Sequence, residues 1–231
     1  MTQVSRLHGM EAMKSAVTKT LCIVVIVGLG LASTVQQADE YFDELMRSLR
    51  NVSDPFILEG VSIPDFNISI ASTSITNRKF KAVFNYGKVK GLTDLKRRGH
   101  CAPTRWSHGN ITFECTLDLS NVFAAYGVIA KGNTFGGRRS QMDVFVRIEQ
   151  GTAKFVAQSF PNRPPYIKIN VIDTLNLRTE VLPDPDLNQS RRNEFANEVQ
   201  KHTTEDIIRV LTTEVSSALT AAAKDHLLPP V

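Results

Sequence analysis

Asn110-Ile111-Thr112-Phe113-Glu114-Cys115-Thr116-Leu117-Asp118-Leu119 alternates without a break, apolar at the odd positions and polar at the even ones. Successive side chains of a strand point to opposite faces. The stretch therefore predicts a β-strand with Ile111, Phe113, Cys115, Leu117 and Leu119 on a core and Thr112, Glu114, Thr116 and Asp118 in water. The same alternation recurs at Phe66, Ile68 and Ile70, at Val144, Val146 and Ile148, at Ile167, Ile169 and Val171, and at Leu175, Leu177 and Val181. One-sided strands belong to antiparallel sheets, because parallel sheets bury both faces. Gly136-Gly137 and Gln150-Gly151 punctuate neighbouring strands as turns.

Two segments depart from this pattern. Lys79 to Leu92 places Phe80, Ala82, Phe84 and Tyr86 on one face and shifts to Val89 and Leu92 after Gly87, as a bulge would cause. Val122 to Ala130 is apolar on both faces, which predicts a strand covered on each side.

Outside this region the period becomes helical. From Ala38 to Arg50, Phe42, Leu45, Met46 and Leu49 fall at i, i+3, i+4 and i+7, with Asp39, Glu40, Asp43 and Glu44 near the positive end of the helix. After Pro183 and Pro185, a stripe of Phe195, Val199, Ile207, Ile208, Leu211, Val215, Leu219 and Ala222 runs toward Leu227 and Leu228. The order is a short helix, about seven or eight strands, and a helix of roughly 35 residues, about 50 Å long. This is an α+β fold, an antiparallel sheet packed on a long C-terminal helix. A sheet that alone covers so long a helix must be extended and strongly curled.

The start of the chain obeys different rules. Lys14 and Lys19 precede an apolar run from Leu21 to Val27 that continues through Gly28, Leu29, Gly30, Leu31 and Ala32. These are the charged and apolar regions of a secretory signal peptide. The run is shorter than the roughly 20 residues of a membrane span. Residues 1–32 are read as a signal cut after Ala32 or Thr34, and residues 33–231 as one domain; the alternative is an uncleaved single-pass anchor. No second such stretch follows, so the mature chain is expected outside the cell with no stable membrane span.

Removing residues 1–32 has two consequences. Of three cysteines, Cys22 leaves, and Cys101 and Cys115 remain to pair in an oxidising compartment. Closing so short a loop stabilises by about 3 kcal/mol. Half of the formal charge of +4 leaves too, since Arg6, Lys14 and Lys19 face only Glu11, and a nucleic-acid partner loses its support. Sequons at Asn51, Asn67, Asn110 and Asn188 complete the expectation of a disulfide-bonded glycoprotein.

No pattern that carries catalysis is present. There is no Gly-x-Ser-x-Gly elbow, no His-Glu-x-x-His and no Cys or His cluster at metal spacing, and His100, His108, His202 and His226 lack neighbours that would make a dyad. Neither an enzyme nor a metal or other cofactor is expected. Two features remain. Lys79, Lys81, Lys88, Lys90, Lys96, Arg97, Arg98 and Arg105 share a span whose only acid is Asp94. That span is either a solvated strand face and turn or a surface for anionic lipid headgroups or a sulfated polymer. A curled sheet around a helix likewise has an interior that is either filled by its own side chains or open to an apolar ligand.

Tyr86-Gly-Lys-Val-Lys-Gly-Leu-Thr-Asp-Leu-Lys-Arg-Arg-Gly99 resembles the strand-turn signature of group 7 mite allergens, in which a basic Gly-Leu-x-x-Leu-Lys-Arg turn follows an early strand. The early helix and the long closing helix also sit where that family has them, although only Gly91 to Gly99 is specific. The family belongs with the tubular lipid-binding proteins, which include juvenile-hormone-binding and takeout-like carriers and bactericidal permeability-increasing proteins. The resemblance implies an arachnid source and a super-roll, a highly curved antiparallel sheet wrapped around a long C-terminal helix with an apolar groove between them. It also implies extracellular binding of lipids or other hydrophobic small molecules. The chain lacks the cysteine pair near the mature N-terminus of the hormone carriers, which sets it apart from them.

On this reading the protein is a carrier or sensor of an apolar ligand held against the helix from Asn193 to His226. Candidate lining residues are Phe80, Phe84, Phe113, Val144, Val146, Phe155, Val199, Ile208, Leu211 and Val215. One alternative is an innate-immune module that docks bacterial lipid or lipopeptide through Lys96, Arg97 and Arg98. Another is a secreted protein-interaction module with a filled core.

Overall fold

The computed structural model describes residues 33–51, 57, 59–72, 78–132 and 139–231. The expected signal segment and the Gly136-Gly137 turn lie outside them. Helix α1 spans Val35–Asn51. Gln37 N donates to Thr34 Oγ1 (3.1 Å) and Thr34 N donates to Gln37 Oε1 (2.9 Å), a reciprocal cap that starts the helix ahead of the apolar pattern at Ala38.

The described strands are β1 (Val61–Ser62), β2 (Phe66–Ile70), β3 (Phe80–Lys90), β4 (Lys96–Arg97), β5 (Ala102–Ser107), β6 (Asn110–Asp118), β7 (Phe123–Lys131), β8 (Arg139–Gln150), β9 (Thr152–Ser159), β10 (Tyr166–Val171) and β11 (Asn176–Leu182). More strands form than the alternation predicts, and β1 and β4, with two residues each, are too short to show a period. The closing helix runs as α2 (Gln189–Val210), a π-helical turn (Leu211–Val215), α3 (Ser216–Ala222) and a 3-10 turn (Ala223–Asp225). It begins before Asn193 because the Asn188 side chain caps it, accepting from Arg191 N at 3.0 Å.

Among the described residues all strand pairs are antiparallel and form two sheets. In the first, β1 and β2 both pair with β3, followed by β7, β8 and β11; in the second, β10, β9 and β6 are followed by β4 and β5, both on β6. Helix α2 touches the first sheet at both flanks, through β2 on one side and β11 on the other, and at β8 between them. A sheet that meets one helix with both of its edges is wrapped around it. The fold is thus the expected super-roll, an antiparallel α+β architecture on a long C-terminal helix.

A bulge in β3 supplies part of the curvature, since bulges bend and twist a strand. The register with β7 shifts between Asn85 and Lys88, where Tyr86 takes a φ of 55°. Gly87 follows because a Cβ there would lie 2.7 Å from Ile63 and 2.8 Å from the Tyr126 ring.

The closing helix also completes the outer strands of both sheets. Ile169 N donates to Ser216 Oγ and Ile167 N to Thr220 Oγ1, each at 3.0 Å, so the free edge of β10 finds its partners on α3. On α2, Gln200 Nε2 donates to Leu177 O (3.0 Å) and Thr179 Oγ1 (3.3 Å) of β11. An uncovered edge would be a template for pairing with another chain. Phe195, Val199, Thr203, Ile207, Leu211, Val215 and Leu219 are buried at steps of four. At 3.6 residues per turn each step drifts by about 40°, so the stripe winds around the helix. Contacts pass from the first sheet to β10 of the second at the π turn, where Ser216 Oγ also donates to Leu211 O (3.1 Å).

Two expectations about strands need correction. β7 is covered on one face only: Ala124, Tyr126, Val128 and Ala130 are buried, whereas Phe123 and Ala125 are half-buried and Ile129 is exposed. Its outer face is apolar but shared with polar cover, as where the Arg147 guanidinium lies 5.0 Å from the Phe123 ring centroid. At the start of β6, Thr112 is buried and Ile111 only half-buried. Thr112 sits in register between Arg105 of β5 and Gln158 of β9, whose long side chains flank the short threonine.

Candidate functional site

The interior gathers most of the expected lining residues into one apolar core. Phe80, Phe84, Val144, Val146 and Val199 lie where α2 meets the first sheet, and Phe113, Phe155, Leu211 and Val215 lie toward the second. All nine are buried. Ile208 is half-buried and packs against this core beside the fully buried Ile207.

Aromatic rings meet one another in two groups within this core. In the first, Phe84 stacks on Phe66 (4.3 Å) and Phe195 (5.9 Å), with Tyr126 edge-on to Phe84 (5.5 Å) and Phe80 edge-on to Phe195 (5.7 Å). In the second, Phe155 touches Phe42 of α1 (5.4 Å) and Phe113 (5.9 Å), and Tyr41 touches Phe113 (5.1 Å). Edge-to-face and offset contacts at these separations are favourable. A ligand entering at either group would have to displace rings. Tyr126 OH and Thr203 Oγ1 share a hydrogen bond of 3.1 Å, so these two buried hydroxyls satisfy each other. Burial pushes the Tyr126 phenol up to about 12 and the Tyr41 phenol higher still, which keeps both neutral.

The basic turn is divided by the fold. Arg97 is spent internally: its guanidinium reaches Asp39 (3.2 Å) and Asp43 (3.2 Å) of α1 and donates to Gly99 O (2.8 Å). Arg98 lines a separate groove of about 500 Å³ with Asp118, Glu149 and Asp173. Arg105 pairs with Glu114 (3.0 Å), and Lys88 approaches Glu59 (4.0 Å). Lys81 stands in register opposite Lys131, which in turn faces Arg139. Only Lys96 of the Lys96-Arg97-Arg98 triplet lines the groove toward α1 without an ion-pair partner among the described residues.

Asp39 organises this corner. Its buried carboxylate accepts from Cys101 N (2.8 Å), shares a 2.7 Å contact with His100 Nδ1 and pairs with Arg97. Burial by itself would raise its pKa, but the Cys101 amide, His100 and Arg97 together outweigh that and hold the carboxyl below its usual value. The Cys101–Cys115 disulfide, with Cα atoms 4.5 Å apart, ties the same turn to β6.

A groove of about 560 Å³ lies between α1 and this turn, lined by Asp43, Met46, Arg47 and Arg50 on one side and Leu95, Lys96, Arg97, Gly99 and His100 on the other. Arg47 and Arg50 were not singled out by sequence reasoning, because on an amphipathic helix they are ordinary solvent-face residues. Only contact with a turn far along the chain gives them a common site. Of the sequons, Asn51, Asn67 and Asn188 are exposed and Asn110 is half-buried. Among the described residues no helix is long and apolar enough to cross a membrane.

No protein-family model matches the chain. It is 23% identical over 184 residues to salivary anticoagulant protein P23 of Ixodes scapularis, a match that covers 78% of this chain and 81% of that protein. Among solved structures it is similar to a lipopolysaccharide binding protein, with a TM-score of 0.48 and 12% identity over 82% of this chain. It spans 37% of that longer chain. It is also similar to Takeout 1 of Epiphyas postvittana (TM-score 0.32, 9% identity, 80% of this chain and 92% of that one) and to Mmm1 (TM-score 0.34, 10% identity, 80% and 84%).

Proposed function

We propose that this chain is a secreted binding protein, not an enzyme, which carries or senses a lipid or another hydrophobic small molecule between its sheets and closing helix. The observation behind this reading is the winding apolar stripe, which keeps buried apolar side chains in line from Phe195 to Leu219 beneath two sheets. Its hydroxyls at Thr203 and Ser216 are already hydrogen-bonded within the protein, so the interior selects for apolar matter. Binding there is driven by removal of apolar surface from water, at about 25 cal/mol per Å².

Secretion is supported by the disulfide and by the salivary relative. Ser33 Oγ accepts from Thr104 N (2.7 Å), and Thr34 caps α1. Cleavage after Ala32 would keep both contacts, whereas cleavage after Thr34 would remove them. The narrower assignment to group 7 allergens rests on the Gly91 to Gly99 motif.

The test is titration of the delipidated, disulfide-bonded protein with a fluorescent fatty acid, beside native mass spectrometry and lipid extraction of the protein as secreted. Saturable binding is expected. No recovered ligand and no fatty-acid binding would sink the proposal. That result would favour a second reading, a surface-acting protein-interaction module, which the ring-on-ring packing of Phe84, Phe195, Phe113 and Phe155 supports.

A further inference from the structure

We propose that the groove between α1 and the β4 turn binds the phosphate of an amphiphile's headgroup, through Arg47, Arg50 and Lys96. The assignment does not depend on an open interior. Four cations line the groove against one carboxylate, Asp43, which is already paired with Arg97, as is Asp39 behind it. Arg47, Arg50 and Lys96 thus share one concavity with no ion pair to any described residue. Lys96 stands across from Asp118 in register, but no ion pair joins them. A cation in the last turn of a helix complements its dipole, which accounts for Arg50. It does not account for Lys96 on the opposite wall.

The rest of the lining identifies the class of ligand. Met46 and Leu95, 2% and 1% exposed, close the bottom of the groove, and the aliphatic stems of Arg47, Arg50 and Lys96 supply apolar surface along its walls. A guanidinium fork matches the oxygens of a phosphate, and the stems match the first carbons attached to it. A sulfated polymer would need an extended track of cations, whereas these share one groove. The walls are held in advance: Arg97 bridges to Asp39 and Asp43, the Cys101 amide bonds Asp39, and the disulfide fixes the turn. Ligand binding therefore has to order little beyond the Arg47 and Arg50 side chains.

The experiment is cosedimentation of the full secreted protein with phosphatidylcholine vesicles, with and without phosphatidic acid. Calorimetry with glycerol phosphate and heparin chromatography run alongside. The double variant Arg47→Gln, Arg50→Gln is compared with Lys168→Gln, Lys201→Gln, which removes the same charge elsewhere. Because Asn51 follows Arg50, protein is measured before and after enzymatic removal of N-glycans.

The expected result is binding to the phosphatidic acid vesicles that falls about tenfold or more in the arginine variant, as loss of charge-assisted hydrogen bonds predicts. The lysine variant should change less than about twofold, since nonspecific attraction depends only on net charge. Equal losses in both variants, or no loss in the arginine variant, would overturn the proposal. Arginine-dependent binding of heparin or glycerol phosphate without vesicle binding would overturn the amphiphile assignment. Binding that appears only after glycan removal would overturn it for the secreted protein. Titration of the arginine variant with an uncharged apolar fluorophore should be unchanged, which keeps this test separate from that of the apolar interior.

Discussion

Ser216 lets the role of the closing helix be measured with one atom removed. Its Oγ, on a residue only 5% exposed, accepts from Ile169 N at 3.0 Å and donates to Leu211 O at 3.1 Å. Ser216→Ala leaves the Ile169 N–H on the edge of β10 without its partner. A buried donor left unsatisfied costs about 1–3 kcal/mol, and the better helix propensity of alanine returns about 0.5 kcal/mol. The expected loss is therefore about 1.5 kcal/mol. Ser217→Ala, at an exposed neighbour on the same helix, should gain about 0.5 kcal/mol. The two variants should differ by about 2 kcal/mol in urea unfolding. Hydrogen exchange at the Ile169 amide should accelerate by about tenfold or more in Ser216→Ala alone. If the two variants unfold alike and the Ile169 amide keeps its protection, the helix does not complete the strand edge and the reasoning fails.

Two other perturbations test the corner behind the groove. Asp39 has a folded pKa lowered below 3.8, so its contribution to stability is present above that value and is lost as the pH falls through the folded pKa. Unfolding midpoints measured between pH 6 and pH 2.5 should fall more steeply in the wild type than in Asp39→Asn, which has no carboxylate to protonate there; parallel curves would contradict this. Reduction of Cys101–Cys115, or Cys101→Ser with Cys115→Ser, should destabilise by about 3 kcal/mol, given the sequence separation of 14. A denaturation midpoint unchanged by reductant would refute that value.

The strands with a clean alternation were legible because each is one-sided, and a period of two survives wherever one face meets a core and the other water. Phe66–Ile70, Asn110–Asp118 and Tyr166–Val171 fall where their alternation places them. The bulge at Asn85 to Lys88 was legible for the same reason, as a break in phase, but Tyr86, expected on the face of Phe80, Ala82 and Phe84, is turned out by it and exposed. β7 misled because its apolar outer face is compatible with cover by another layer, and the sequence carries no record of what lies above it. Ile207 is fully buried and Ile208 packs against the core in part, because a stripe advancing by four winds around the helix. The basic run overstated the cationic surface because the acids that neutralise Arg97 and Arg105 lie outside its span, at Asp39, Asp43 and Glu114.

What the sequence determined by itself is local: which segments are strands or helices, which face of each is apolar, and that Cys101 and Cys115 remain to pair once residues 1–32 are set aside. What only the tertiary structure decided is everything set by long-range juxtaposition. The helix completes the edges of β10 and β11, Arg97 is consumed by α1, and Arg47 and Arg50 meet Lys96 across a groove. The physical reason is that periodicity records whether a side chain is in water or in the core. It does not record which partner lies across the interface, and these contacts are defined by the partner.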